Sequence, residues 1–311
     1  MSRASSVTTA QLRYFVAAAD NLSMTRAGES LLVAQSAVSS AVSQLERAIG
    51  VQLFIRKSAK GLILTAAGSR LHHEARAVLA SLEAAIESAR GQVNEVSGNV
   101  TLACFVTLVP FYVPGLLSEL SANFPALRLE VIETDAEGMA SALSSGRAQI
   151  GLAYPYGLGP AIRTVTVKTI APYVLVSQTH RLAESKSVSL DLLRDDPMIL
   201  LDLPVSRDYF LDLLREREIE PIVRYRTGNY ETVRSLVAQD QGYSILNQLP
   251  ASSVTYSGQS VVPLRIHDDV PGLPVVIASL SGARATARIR AVSDGIVSVV
   301  SAQVNTGEQS R

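Results

Sequence analysis

Cysteine and histidine are scarce: one Cys (Cys104) and four His in 311 residues. A single cysteine excludes an internal disulfide framework and fits a reducing compartment. His72 and His73 fall on one predicted helix and His180 and His267 on separate segments. None shares metal-ligand spacing with a nearby thiol or carboxylate, so no metal site is expected. Asp20, Asp135 and Asp202 end candidate elements without an evident catalytic partner, and neither GxxxxGK[ST] nor a strand–GxGxxG–helix occurs. No apolar run approaches the ~18 residues of a membrane span, and MSRASSVTTAQLRYF lacks the apolar core of a signal peptide. These absences lead us to expect a cytoplasmic protein with no catalytic centre, no cofactor and no membrane partner.

What is present is a chain with 47% hydrophobic residues and no net charge, long enough for two or three domains. The charge is uneven. Residues 1–70 hold eight Lys/Arg against three Asp/Glu, and the rest of the chain is correspondingly acidic. A basic head on an acidic body fits one module that meets a polyanion.

That head contains SMTRAGESLLVAQSAVSSAVSQLERAIG (23–50). Ser23 can cap a helix carrying Met24, Ala27 and Leu31, and Leu32-Val33-Ala34 forms a bend. A second helix starts at Gln35 or Ser36 with Val38, Ala41, Val42, Leu45 and Ile49 on one stripe, and Gly50 suits a left-handed cap. Its other face shows Ser36, Ser39, Ser40, Ser43 and Gln44, small enough to lie closely in a DNA major groove. TAQLRYFVAAAD (9–20) supplies a third helix through Leu12, Phe15, Val16 and Ala19. Two short strands, Val51–Ile55 and Leu62–Leu64, then flank a basic turn with Arg56, Lys57 and Lys60, a wing suited to phosphates.

Thr65 can cap a helix from Ala66 to about Val96 in which Leu71, Ala75, Val78, Leu82, Ala85 and Ala89 follow a seven-residue repeat. Such a seam calls for a second copy of itself, hence a homodimer. Ser97-Gly98-Asn99 reads as a hinge. Beyond it, strand 100–105, a helix entered near Pro110, strand 127–133, helix 137–147 and strand 148–154 give a βαβαβ order and a parallel sheet. A second set begins near Ile170: strands 173–177, 197–201, 223–227 and 243–247, with helices 208–218 and 230–239. Strand 274–280 and a helix from Ala283 to about Val300 close the chain, returning to the first set. Two lobes leave a cleft for a small ligand.

LRYFVAAADNLSMTRAGESLLVAQSAVSSAVSQLERAIGVQLFIR (12–56), LTAAG (64–68), GRAQIGLAY (146–154) and YVLVSQTHRLA (173–183) resemble the LysR-type transcriptional regulators over nearly the whole chain. The resemblance implies an α/β protein: a largely α-helical winged helix-turn-helix (1–66), a dimerising linker helix and hinge (67–97) and a two-lobed effector domain like a periplasmic binding protein (98–311). Lobe I spans about 98–169 and 268–311, lobe II about 170–267. Dimers that pair into tetramers, double-stranded operator DNA, a small-molecule effector and, for an activator, RNA polymerase are the implied partners. By family position Gln35, Ser36, Ser39 and Ser40 face bases or nearby phosphates, with Arg56 on the wing; the helix face adds Ser43 and the basic turn adds Lys57 and Lys60. The family commonly has Pro at the position of Ser36 and often Arg at that of Ser40. A serine cannot make the bidentate guanine contact that arginine makes.

For the effector, Thr107 and Leu108 lie between a strand end and a helix start, Ser206 and Arg207 precede another helix, and Asn229, Tyr230 and Thr232 open a third. Tyr154 and Asn247 at strand ends complete the ring, although Ser, Thr and Asn at these places also serve as plain helix caps. Arg207 favours an organic acid. Cys104 beside the cleft could sense redox state but is expected to be a small buried apolar residue. The competing reading is a solute-binding protein, or an enzyme, of the same two-lobed fold.

Overall fold

The computed structural model describes residues 7–57, 61–89, 96–204, 206–283 and 285–302. It divides into two compact units, the first built on the N-terminal 94 residues and the second on most of the remainder.

In the first unit, α1 (Thr9–Asn21), α2 (Met24–Leu31) and α3 (Gln35–Ile49) are followed by the antiparallel β1 (Phe54–Lys57) and β2 (Gly61–Leu64), then by α4 (Ala66–Ala89). Side chains satisfy free N–H groups at the starts of α1, α2 and α4, whereas α3 opens on Ala34 without a side-chain cap. Thr8 and Gln11 form a reciprocal capping box at α1, Ser23 Oγ accepts from Arg26 N at 3.3 Å, and Thr65 Oγ1 accepts from Gly68 N at 2.9 Å. Gly50, at φ 75°, ends α3 in the left-handed region, where a side chain would be strained. Phe15, Ala18, Ala27, Val38, Val42, Leu45 and Leu53 are wholly buried, and the Phe15 and Phe54 rings meet at 5.5 Å. Each larger side chain in this core contributes on the order of 1.5–3 kcal/mol. The expected α3 stripe holds as far as Leu45. Ile49 is 37% exposed, because Leu53 and Phe54 fill the core at that end. Glu46 Oε1 holds that turn by accepting from Leu53 N at 2.8 Å and Phe54 N at 3.2 Å.

Asp20 ties α1 to α4 through His72, at 2.7 Å, and through Arg76. Burial alone would raise its carboxyl, but hydrogen bonds from His72 and Arg76 more than offset this and hold it below its ordinary value.

Leu32, between α2 and α3, has φ 55° and is 94% exposed. The left-handed region costs an ordinary residue ~1–2 kcal/mol, and this side chain recovers nothing by burial. Asparagine tolerates that region. Leu32→Asn is therefore expected to stabilise the first unit by about 1 kcal/mol, raising its thermal midpoint by a few degrees in circular dichroism. An unchanged or lower midpoint would show that the leucine makes compensating contacts.

The second unit contains two sheets. In the first, β3 (Gly98–Phe105) pairs in parallel with β4 (Leu127–Thr134) and β5 (Ile150–Ala153), while β13 (Leu273–Leu280) runs antiparallel between β5 and β6 (Ile162–Ile170). The sheet is thus mixed and not parallel throughout. Helical crossovers, α5 (Val109–Asn123) and α6 (Ala136–Ser144), join only the parallel strands. The chain enters β6 from a loop and comes back as β13, and antiparallel neighbours need no crossover helix. α9 (Ala287–Ala302) packs on α5, where a Cβ on Gly295 would come within 2.9 Å of Leu116. The expected return of the chain's end to the first sheet is observed.

The second sheet has the order β11 (Ser244–Leu246), β7 (Tyr173–Ser177), β12 (Val261–Ile266), β8 (Ser187–Val188). A parallel pair, β9 (Pro197–Leu201) and β10 (Ile222–Thr227), joins its edge through a bridge between Met198 and Tyr243. α7 (Ser206–Arg215) and α8 (Tyr230–Ala238) complete this half. The chain passes between the sheets twice, at 170–173 and 266–273.

Two expectations need correction or limits. Gly98 is no free hinge: it opens β3, opposite Leu127, and its N–H bonds Ala126 O at 3.1 Å. Its φ of 100° suits glycine, but the strand pairing fixes it. The helix expected to reach about Val96 is seen from Ala66 to Ala89; residues 90–95 lie outside the described residues, and Val96, just before β3, is not helical.

Candidate nucleic-acid interface and ligand cleft

On the first unit, α3 divides cleanly. Val38, Val42 and Leu45 point into the core, whereas Gln35, Ser36, Ser40 and Gln44 are exposed and Ser39 and Ser43 half-buried. Gln35 occupies the first turn of α3, where recognition helices meet base edges. Every expected DNA-facing residue of α3 therefore lies on its unburied side. Arg56 and Lys57 belong to β1, with Lys57 opposite Gly61 across the turn. Lys60 lies outside the described residues.

On the second unit, a cavity of about 1040 Å³ opens between the α5 end of the first sheet and the start of α8, walled on one side by residues 250–257. Thr107, Asn229, Tyr230 and Thr232, four of the residues named from sequence, line it. Tyr154 and Asn247 do not line it but connect to it through Thr107. The Tyr154 hydroxyl is within 3.4 Å of Thr107 Oγ1 and accepts from Asn247 Nδ2 at 3.0 Å and Gln248 Nε2 at 3.4 Å. Gln248 is a hub that sequence reasoning missed. Its Oε1 accepts from Tyr112 OH at 3.2 Å, and its backbone carbonyl accepts from Tyr173 OH at 2.8 Å and from Tyr230 OH. Burial pushes the Tyr112 phenol up to about 12 and raises those of Tyr154 and Tyr230, so all three stay protonated donors at neutral pH.

The remaining expected effector residues lie elsewhere. Leu108 is wholly buried at the entry to α5, and Ser206 is buried at the start of α7. Neither lines the cavity. Asn229 lines it, but its side chain caps α8, accepting from Thr232 N at 2.9 Å. Arg207 also stays outside and is held by Asp202 and Asp208, each at 3.1 Å, so it gives no support for an acidic ligand.

Two further residues were missed. Arg234 is buried on α8, donates to Glu231 at 2.6 Å and reaches the carbonyls of Ser252 and Val254. Glu231 in turn accepts from Tyr256 N at 2.8 Å. The spacing of Glu231 and Arg234, three apart on a predicted helix, is the signal that could have found them. Cys104 is buried, and burial followed by the charge of Glu133 raises its thiol far above the ordinary value. No group of His, Cys, Asp and Glu able to hold a metal occurs among the described residues. No helix among them is long and apolar enough to cross a membrane.

Family models match both units: the bacterial regulatory helix-turn-helix protein of the lysR family over residues 9–69, and the LysR substrate binding domain over 94–300. The chain belongs to the LysR family. It is 30% identical over 278 residues to a probable hydrogen peroxide-inducible genes activator of Streptomyces viridosporus, covering 88% of each chain. The structure of HinK, a LysR family transcriptional regulator from Pseudomonas aeruginosa, matches with TM-score 0.64 and 32% identity over 94% of this chain and 98% of that one. Full-length OxyR from Pseudomonas aeruginosa shares the fold, with TM-score 0.78 at 23% identity over 94% and 97%. This LysR-family protein is a DNA-binding transcriptional regulator with an effector-binding domain, and the solute-binding alternative falls away. The relatives it matches are transcriptional regulators.

Proposed function

We propose that this regulator reads its operator with Gln35, Ser36, Ser39, Ser40 and Ser43 of α3, neutralises phosphates with Arg56, Lys57 and Lys60, and answers to a small molecule in the cavity at Thr107 and Tyr230. The observation that carries this reading is the division of α3, a sealed apolar stripe behind an exposed face of glutamine and serine. Short uncharged side chains let the helix approach bases closely. They leave affinity to the basic wing and part of the specificity to DNA shape. Residues 1–66 form the DNA-binding head, 67–97 the linker and 98–311 the effector domain. On α4, Val78 and Ile86 are 51% and 41% exposed, and this apolar edge supports a homodimer through the linker, with pairing of dimers into a tetramer. A cytoplasmic location and contact with RNA polymerase on activation complete the reading.

The effector acts by binding one arrangement of the domain better than another. Peroxide is not the favoured signal, whatever the name of the Streptomyces relative. The single cysteine is buried and its thiol held protonated, so little thiolate is available to react.

The test is binding to DNA upstream of the protein's own gene. Affinity should fall at least ~10-fold between about 50 and about 200 mM salt, because each neutralised phosphate adds to the salt slope. Gln35→Ala should cost about 1–3 kcal/mol at that site and much less on unrelated DNA. Equal losses on both would place Gln35 on the phosphates, and absence of binding at low salt would sink the proposal.

A further inference from the structure

The residues that wall the cavity also bear on the class of ligand it takes, provided that the cavity is the effector site proposed above. Three charged side chains line it: Glu133, Glu231 and Arg234. Arg234 is used up by Glu231 and by two backbone carbonyls. Glu133, at the end of β4, is exposed and makes no ion pair among the described residues, so the lining carries one spare negative charge.

Three aromatic rings line the same cavity. Phe111 and Tyr230 meet edge to face at 5.8 Å on the wall, and Tyr256, on the loop held by Glu231, is 93% exposed. Ring faces attract cations, and a carboxylate beside them adds to that attraction. The two helix ends at the cavity would ordinarily favour an anion. Here both are blunted. The second residue of α5 is Pro110, which has no N–H to offer, and the first turn of α8 already holds the Asn229 cap and the acidic Glu231.

We infer that the cavity takes an organic cation, a primary amine on an apolar or aromatic body, with its ammonium at Glu133 and its body among Phe111, Tyr230 and Tyr256. This replaces the organic acid expected from Arg207.

The experiment is calorimetric titration of the full chain with amines of stepped size (butylamine, 2-phenylethylamine, tryptamine), each paired with the carboxylate of the same skeleton. At least one amine should bind 10-fold or more tightly than its carboxylate mate. Glu133→Gln should weaken that amine about 10-fold and narrow its lead over the carboxylate. Tyr256→Ala, which changes an exposed side chain, should weaken it several-fold. Tighter binding of the carboxylates, failure of every amine, or an amine affinity unchanged by Glu133→Gln would each overturn the inference. A parallel measurement of operator affinity separates the two readings. An amine that binds through Glu133 without altering DNA binding sinks the cavity as effector site and leaves its preference for cations standing. Carboxylates that bind and alter DNA binding do the reverse.

Discussion

Gly68→Ala should severely weaken operator binding while leaving the second unit folded. Gly68 lies in the first turn of α4, where the helix crosses the chain leading into β1. A Cβ there would stand 2.1 Å from Leu53 O and 3.0 Å from Leu64 Cδ2. The nearest obstacle is backbone, which has no rotamer to move into, and Leu53 O is already fixed by Thr65 N at 2.9 Å. Making room would pull Leu53 and Phe54 away from Glu46, which holds both their N–H groups, and so disturb the core beneath α3. Overpacking a core costs ~1–3 kcal/mol where side chains can yield. With backbone in the way, a loss of about 3 kcal/mol or more is expected, a large part of the stability of a unit this small. The measurement is two-phase thermal unfolding followed beside a DNA-binding titration. The earlier transition should shift down or vanish, operator affinity should drop at least ~10-fold, and the later transition should keep its midpoint. Normal DNA affinity in the variant would mean that α4 can shift without cost.

Gly68 also shows where sequence reading stops. LTAAG marks it as part of a pattern, and Thr65 is recognisable as a cap, but nothing local says that the backbone of residue 53 crowds the position a side chain would take. The elements that were legible carry their cause within a few residues: Ser23 at a helix start, Gly50 at a helix end, and Val38, Val42 and Leu45 on one stripe. β6 was not legible. Its run IRTVTVKTI is rich in β-branched residues, yet it lies at the sheet edge with Val165 53% exposed, so its pattern lacks the buried alternation that announces a strand. Thr107 and Tyr230 could be placed at the cavity from sequence because they sit where strands give way to helices. Gln248 could not, since its partners Tyr112, Tyr154 and Tyr173 lie 136, 94 and 75 residues away. Arg207 misled for the opposite reason. Two carboxylates close to it in sequence, Asp202 and Asp208, satisfy it before any ligand could.

Arg234→Met is expected to destabilise the second unit by about 3–5 kcal/mol, the usual loss when one partner of a buried ion pair is removed. The guanidinium side chain is 6% exposed and Glu231's is 18% exposed, so the remaining carboxylate is left largely away from water. The carbonyl of Ser252, at 2.8 Å, and that of Val254 lose their donor in the same step. The double variant Glu231→Gln/Arg234→Met should recover part of the loss, because both charges are then gone. Urea denaturation of the wild type, both single variants and the double variant measures the coupling. A loss under ~1 kcal/mol in Arg234→Met would show that the pair is hydrated and holds nothing. The effect should extend beyond stability. Arg234 fastens residues 252–254 to α8, and Glu231 fastens Tyr256 N to the same helix. These are the residues that wall the cavity, so the variant should lose ligand affinity even under conditions where it remains fully folded. Glu133→Gln, by contrast, alters the charge of the cavity and not its shape. Comparing the two variants therefore separates a wall that must be held in place from a charge that must be present.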